Sequence, residues 1–130
     1  MPAPTQIQWS LASRVGAQSV VQSLVDGGTG VGSIKVYDSS DALLMTLTLQ
    51  SPGSFLEPST GVLTLLFSSE YYYPSVNGVA AYGDLCDGDD VVVCSMPVAQ
   101  SNVVVPNRLT FESLMLFTGI AVRMNPVTIG

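Results

Sequence analysis

The residues best equipped for chemistry lie in one stretch, Val79 to Val98, where Asp84, Asp87, Asp89 and Asp90 gather around Cys86, with Cys94 following. Clustered carboxylates can serve a hard cation, because calcium takes several oxygen ligands and a loop of aspartate and glycine can converge them. The spacing lacks the ligand rhythm and closing glutamate of an EF-hand, however, and the turn chemistry of a β-hairpin accounts for Asp87-Gly88 by itself. No metal ligand is therefore assigned, and calcium at Asp84 to Asp90 is the lesser alternative. If the hairpin turns at Asp87-Gly88 or over Asp87 to Asp90, Cys94 lies three to five residues beyond the position opposite Cys86, roughly 10 to 17 Å away. A disulfide needs Cα atoms within ~7 Å, so both cysteines are expected as free thiols.

The chain has no histidine. That removes the commonest general base, the usual serine and cysteine triads, and most zinc sites. Glu57, Glu70 and Glu112 show no spacing that selects an acid and base pair, and a loop carboxylate is ordinarily a solvated turn residue. The glycine-rich run Asp26 to Ser33 has no lysine followed by serine or threonine, so it reads as a loop or hinge rather than a phosphate cradle. No catalytic residue and no cofactor-binding residue is assigned, and the chain is read as a non-enzyme.

The elements that would position these residues are strands. Ile34 and Val36 alternate with Lys35 and Tyr37, Asp38-Ser-Ser-Asp41 supplies a turn, and Leu43, Met45, Leu47 and Leu49 alternate with Leu44, Thr46 and Thr48. Val62 to Phe67 is apolar on both faces and is placed inside a sheet. Val103-Val104-Val105 reads as a short strand closed by Pro106, and Leu109 to Met115 with Ile120 to Ile129 reads as a last strand pair. Residues from Ile7 to Val25 partly fit a helical spacing and are ambiguous. Many short strands with turn signals between them predict an all-β fold: an antiparallel β-sandwich of jelly-roll or immunoglobulin-like type with little helix. Residues 1–10 read as an extended N-terminal arm and residues 11–130 as a single sandwich domain.

Charged residues make up 11% of the chain against ~25% in an average domain, with net charge −6 and mean hydropathy +0.43. The four basic residues are scattered, so a nucleic-acid surface is excluded, and no apolar run approaches the ~20 residues of a membrane-spanning helix. The N-terminus lacks the pattern of a secretory signal, which suggests synthesis in the cytoplasm. So little charge leaves part of the exterior to be covered by a partner. Trp9 and the run Tyr71, Tyr72 and Tyr73 are the candidate partner contacts; three adjacent tyrosines in an extended chain cannot all face one core, so at least one points outward.

Leu43-Leu-Met-Thr-Leu-Thr-Leu-Gln-Ser-Pro-Gly-Ser-Phe55, Gly61-Val-Leu-Thr64 and Gly78-Val-Ala-Ala-Tyr-Gly-Asp-Leu-Cys-Asp-Gly-Asp89 resemble small virion-associated proteins encoded among the structural genes of tailed bacteriophages. Residues 43–105 carry most of the likeness. After Val105 it is confined to the strand pattern, and Leu109 to Met124 stands where those proteins have serine- and threonine-rich strands. The resemblance implies a non-enzymatic capsid decoration or cement protein, assembled into the virion in the host cytoplasm. Its partner would be the major capsid protein or another virion protein, with the chain itself forming an oligomer. The competing reading is a receptor- or carbohydrate-binding module of a tail fibre or other appendage, which requires Trp9 or Tyr71 to Tyr73 to form a flat aromatic platform.

Overall fold

The computed structural model describes residues 10–130. The chain begins with one helix, α1 (Leu11–Val25), and continues through eleven strands: β1 (Ser33–Tyr37), β2 (Leu43–Leu56), β3 (Leu63–Phe67), β4 (Tyr71–Tyr72), β5 (Gly78–Val79), β6 (Tyr82–Cys86), β7 (Val92–Gln100), β8 (Leu109–Phe111), β9 (Met115–Leu116), β10 (Val122–Arg123) and β11 (Val127–Ile129). Seven of them form one sheet in the order β11-β3-β2-β1-β6-β7-β8. Neighbours are antiparallel except β7 and β8, which run parallel from Val98 opposite Leu109 to Gln100 opposite Phe111.

This sheet curls into a nearly closed barrel, which overturns the sandwich expected from the strand pattern. Alternation and turn spacing locate strands but do not say whether a sheet packs on a second sheet or on itself. The decisive element is β2, whose first half pairs with β1 and whose second half pairs with β3 across a register shift between Leu49 and Ser54. Such an irregularity bends a strand and increases its twist, turning a corner that one continuous sheet can follow into a barrel. Across the remaining seam, the Asn107 N–H donates to the Thr128 carbonyl at 2.7 Å, and Gly130 N–H donates to Asn107 Oδ1 at 2.8 Å. The interior is a single core: Ile34, Val36, Leu47, Leu49, Leu63, Leu65, Leu85, Leu109, Phe111 and Val127 are all buried within it.

Helix is scarce among the described residues, as expected: the single helix is 15 residues long and falls in the stretch whose spacing reads as ambiguous. Ser10 caps it, its hydroxyl accepting from Ser13 N–H at 3.1 Å, and Gly27-Gly28 follow its C-cap Asp26 and end it. Only Val25 is fully buried, where the backbones of Gly32 and Gly53 approach its Cγ1. The inward face of the helix runs Val15, Gln18, Val21, Gln22 and Val25, a stripe broken by glutamines, while most other positions are exposed, which is why its spacing reads as ambiguous.

Both expected hairpins form, and their turns share one construction. In the first, Asp38 Oδ1 accepts from Ser40 and Ala42 N–H, and Asp41 takes a φ of 65°. In the second, Asp87 Oδ1 accepts from Asp89 and Val91 N–H, and Asp90 takes a φ of 64°. The left-handed residue is thus the last aspartate of each Asp-x-x-Asp, a position aspartate tolerates better than most residues, rather than Gly88. Val103 to Val105 form no strand, and the two halves of the expected last pair do not meet. The segments 115–116, 122–123 and 127–129 pair instead with β5, β4 and β3.

Candidate functional site

The acidic hairpin is architecture. Asp84 accepts from Ser95 Oγ at 2.5 Å, Asp87 holds the turn, and Asp90 pairs with Lys35 Nζ at 3.3 Å. Asp89 Oδ1 accepts from Thr29 N–H at 3.1 Å and Thr29 Oγ1 at 2.8 Å, and these bonds hold its carboxyl below the ordinary value. The four carboxylates thus face four different partners, and among the described residues no three metal-ligating side chains converge. Two of these contacts belong to a latch between the hairpin tip and the glycine-rich loop. Gly88 N–H donates to the Gly27 carbonyl at 2.9 Å, and the Gly30 backbone lies so close to Gly88 that a Cβ at position 88 would overlap it, while one on Gly30 would sit tightly against the Gly88 carbonyl oxygen.

Cys86 and Cys94 are free, as expected, but by a different register. A bulge after Leu85 sets Cys86 opposite Val92, so Cys94 lies beside Leu85, two residues along rather than three to five. Burial pushes both thiols above their ordinary pKa, which disfavours the nucleophilic thiolate. At the opposite end of the barrel, Tyr82 stacks on Tyr37 with ring centroids 5.1 Å apart and donates to Asp41 Oδ1 at 2.8 Å. That hydrogen bond favours the neutral phenol and, with lesser help from desolvation, pushes the Tyr82 pKa up to about 12.

The three tyrosines divide as their alternation requires. Tyr72 is buried, its hydroxyl donating to the Thr48 carbonyl at 2.6 Å and its ring meeting Phe67 edge-on at 6.1 Å. Tyr71 and Tyr73 face outward, 48% and 64% exposed. Trp9 lies outside the described residues.

What surrounds Tyr71 and Tyr73 escaped the sequence reading. Two small ribbons pack on the barrel, β4 with β10 through Tyr72 bonded to Thr48 and β5 with β9 at the Tyr37 end, where Leu44 is buried beneath Gly78. They present one apolar cap. Val79 lies directly opposite Met115, Tyr71 directly opposite Arg123, and Arg123, Met115, Phe117 and Ile120 line a single shallow depression. The turn holding Phe117 and Ile120 is tied down where Thr118 N–H donates to Asn77 Oδ1 at 2.7 Å. At the rim Arg123 Nε pairs with Glu70 at 3.3 Å; with both side chains well exposed the pair contributes at most ~1 kcal/mol. The depression encloses only about 130 Å³. Small-molecule sites run to roughly 300–1,000 Å³, so the cap has the shape of a contact surface rather than a substrate pocket.

Large apolar side chains also stand out at the other end, where Val31, Val91 and Val92 flank the latch and Val20 and Leu24 extend along α1. The two ends are held apart by β1, from Ser33 beside Cys86 to Tyr37 beside Tyr82. Comparison with known protein families, with curated proteins and with solved structures finds no match to this chain.

Proposed function

We propose that the protein is a non-enzymatic assembly component of a bacteriophage virion, a decoration or cement protein that binds the capsid lattice. The observation that carries this reading is a charge-poor barrel with exposed apolar side chains in two separate places: Tyr71, Tyr73, Met115 and Ile120 on the cap, and Val31, Val91 and Val92 beside the latch. A module that bridges neighbours needs two separated contact surfaces on a body that does not deform, and many such contacts around a lattice add through multivalency. The reactive groups fit the same role. The hairpin carboxylates make structural hydrogen bonds and ion pairs, while the thiols are shielded by burial. The likeness of residues 43–105 to small virion proteins supplies the setting.

Tyr71 and Tyr73, two residues apart and both outward, also suit an aromatic platform for a sugar ring, which keeps a receptor-binding module as the second reading. Immunogold labelling of purified source particles decides between them. Label distributed over the capsid supports the cement role, label confined to the tail supports the receptor module, and particles without label overturn both.

A further inference from the structure

We propose that the apolar cap docks against the same cap of a second copy of this chain, forming a two-fold dimer. Tyr71, Tyr73, Val79, Met115, Phe117 and Ile120 are between 44% and 64% exposed and contiguous through the β4/β10 and β5/β9 ribbons. Taking side chains of ~150–250 Å² at about half exposure, the face presents on the order of 600 Å² per copy; two such faces reach the ~1,200 Å² at which stable specific interfaces begin.

The rim charges are arranged so that a second copy can meet them. The cap carries few charges: Arg123 pairs with Glu70 at the rim, and Glu112 lines the depression. A rim doublet of opposite charges is self-complementary. Under a two-fold axis Arg123 of each copy reaches Glu70 of the other, while the neutral centre meets its own image. The supporting geometry is firm, since the ribbons rest on buried Leu44, Tyr72 and Leu116 and Thr118 is tied to Asn77. A preorganised face loses little conformational entropy on docking.

This pairing builds on the assembly role by giving one of the two apolar ends its partner, yet the two fail separately. A monomer that still labels capsids overturns the pairing alone, and a dimer that labels no particle overturns the virion role alone.

Sedimentation equilibrium of the full chain across the micromolar range tests the pairing. The expected mass is twice the 13.6 kDa of one chain. Ile120→Asp and Tyr73→Asp should each weaken the dimer on the order of 100-fold or more, because a substitution at a two-fold interface enters it twice. Val91→Asp, at the latch end, should leave the mass unchanged. Far-ultraviolet circular dichroism checks that each variant folds; if Ile120→Asp does not, Tyr73→Asp, just beyond the end of β4, decides alone. A wild-type chain that stays monomeric, an assembly larger than a dimer, a dimer indifferent to the folded cap variants, or one lost on Val91→Asp would each overturn the proposal.

Discussion

Replacing Gly88 with alanine should separate the latch from the barrel at a measurable cost. A Cβ on Gly88 would lie 2.1 Å from the Gly30 carbonyl oxygen, 2.5 Å from its carbon and 2.7 Å from its nitrogen. All three are backbone atoms, so no rotamer change relieves the overlap, and the hairpin tip and glycine loop must part by more than an ångström. Parting them breaks the Gly88 to Gly27 hydrogen bond and both Thr29 contacts to Asp89. The lost Gly88 to Gly27 bond at ~0.5–1.5 kcal/mol, together with overpacking of a Cβ against backbone at ~1–3 kcal/mol, gives a loss of about 2–3 kcal/mol. For a domain of this length that corresponds to a fall in Tm of roughly 10 °C. Gly16→Ala is the control. Its Cβ meets nothing within 4 Å, and alanine in a helix interior gains ~0.5–1 kcal/mol, so this variant should melt higher than wild type.

Urea titration of both variants measures the difference as a shift in midpoint at constant slope. Coupling sharpens the test: Asp89→Ala should destabilise the wild type but add almost nothing to Gly88→Ala, because the Thr29 contacts it removes are already broken. A Gly88→Ala protein as stable as wild type, or additive losses in the double variant, would show that the loop and hairpin tip do not support each other.

Three further outcomes follow from the same geometry. Tyr82 should titrate near pH 12 by ultraviolet difference absorbance and fall towards 10 in Asp41→Asn; the neutral phenol's contribution is full below pH 10 and is lost as pH rises through about 12. Asp89, whose pKa is depressed by Thr29, contributes above the ordinary carboxylate range and loses that contribution as pH falls through its folded value. Thr29→Val should raise that value in a carboxyl-detected NMR titration, and an unmoved Asp89 would refute the assignment. In the folded protein Cys86 should resist a thiol reagent at neutral pH and Cys94 should react slowly, with both labelling fully after unfolding without reductant; a thiol missing from the unfolded count would mean that a bridge had formed.

What the sequence discloses depends on how local the governing physics is. The hairpins over 33–49 and 82–100 were legible because Asp38 and Asp87 hold their own turns through bonds two and four residues on. The free cysteines were legible in outcome but not in register, since the bulge after Leu85 reflects how β6 and β7 pair rather than any turn residue. The helix was ambiguous because its inward face, Val15, Gln18, Val21, Gln22 and Val25, mixes apolar with polar residues while Val20 and Leu24 stand exposed. Closure into a barrel depends on the bend within β2 and on Asn107 bridging to β11, contacts that join residues far apart in the chain.

The cap was the least legible feature, and the reason bears on how such surfaces should be sought. Its ribbons pair only two residues per strand, too few to show alternation, and the partners lie up to some fifty positions apart. The run Tyr71 to Tyr73 signalled that at least one ring faces outward, but Met115 and Ile120 read only as the ends of a last strand pair, and Phe117 as part of neither strand. The same apolar residue type is core or interface depending on whether a later segment covers it, and composition records only the total. Four basic and ten acidic residues cannot cover the exterior of a 130-residue chain, so some apolar surface had to remain. Chance would scatter it singly. Here much of it does lie along α1, the latch and the loops, but one share, Tyr71, Tyr73, Val79, Met115, Phe117 and Ile120, is gathered on and beside ribbons held by Tyr72, Leu44 and the Asn77 bond. A rigid apolar face is an aggregation hazard to a protein that works alone and a docking surface to one that works assembled, and that asymmetry is the strongest reason to read this barrel as a building block.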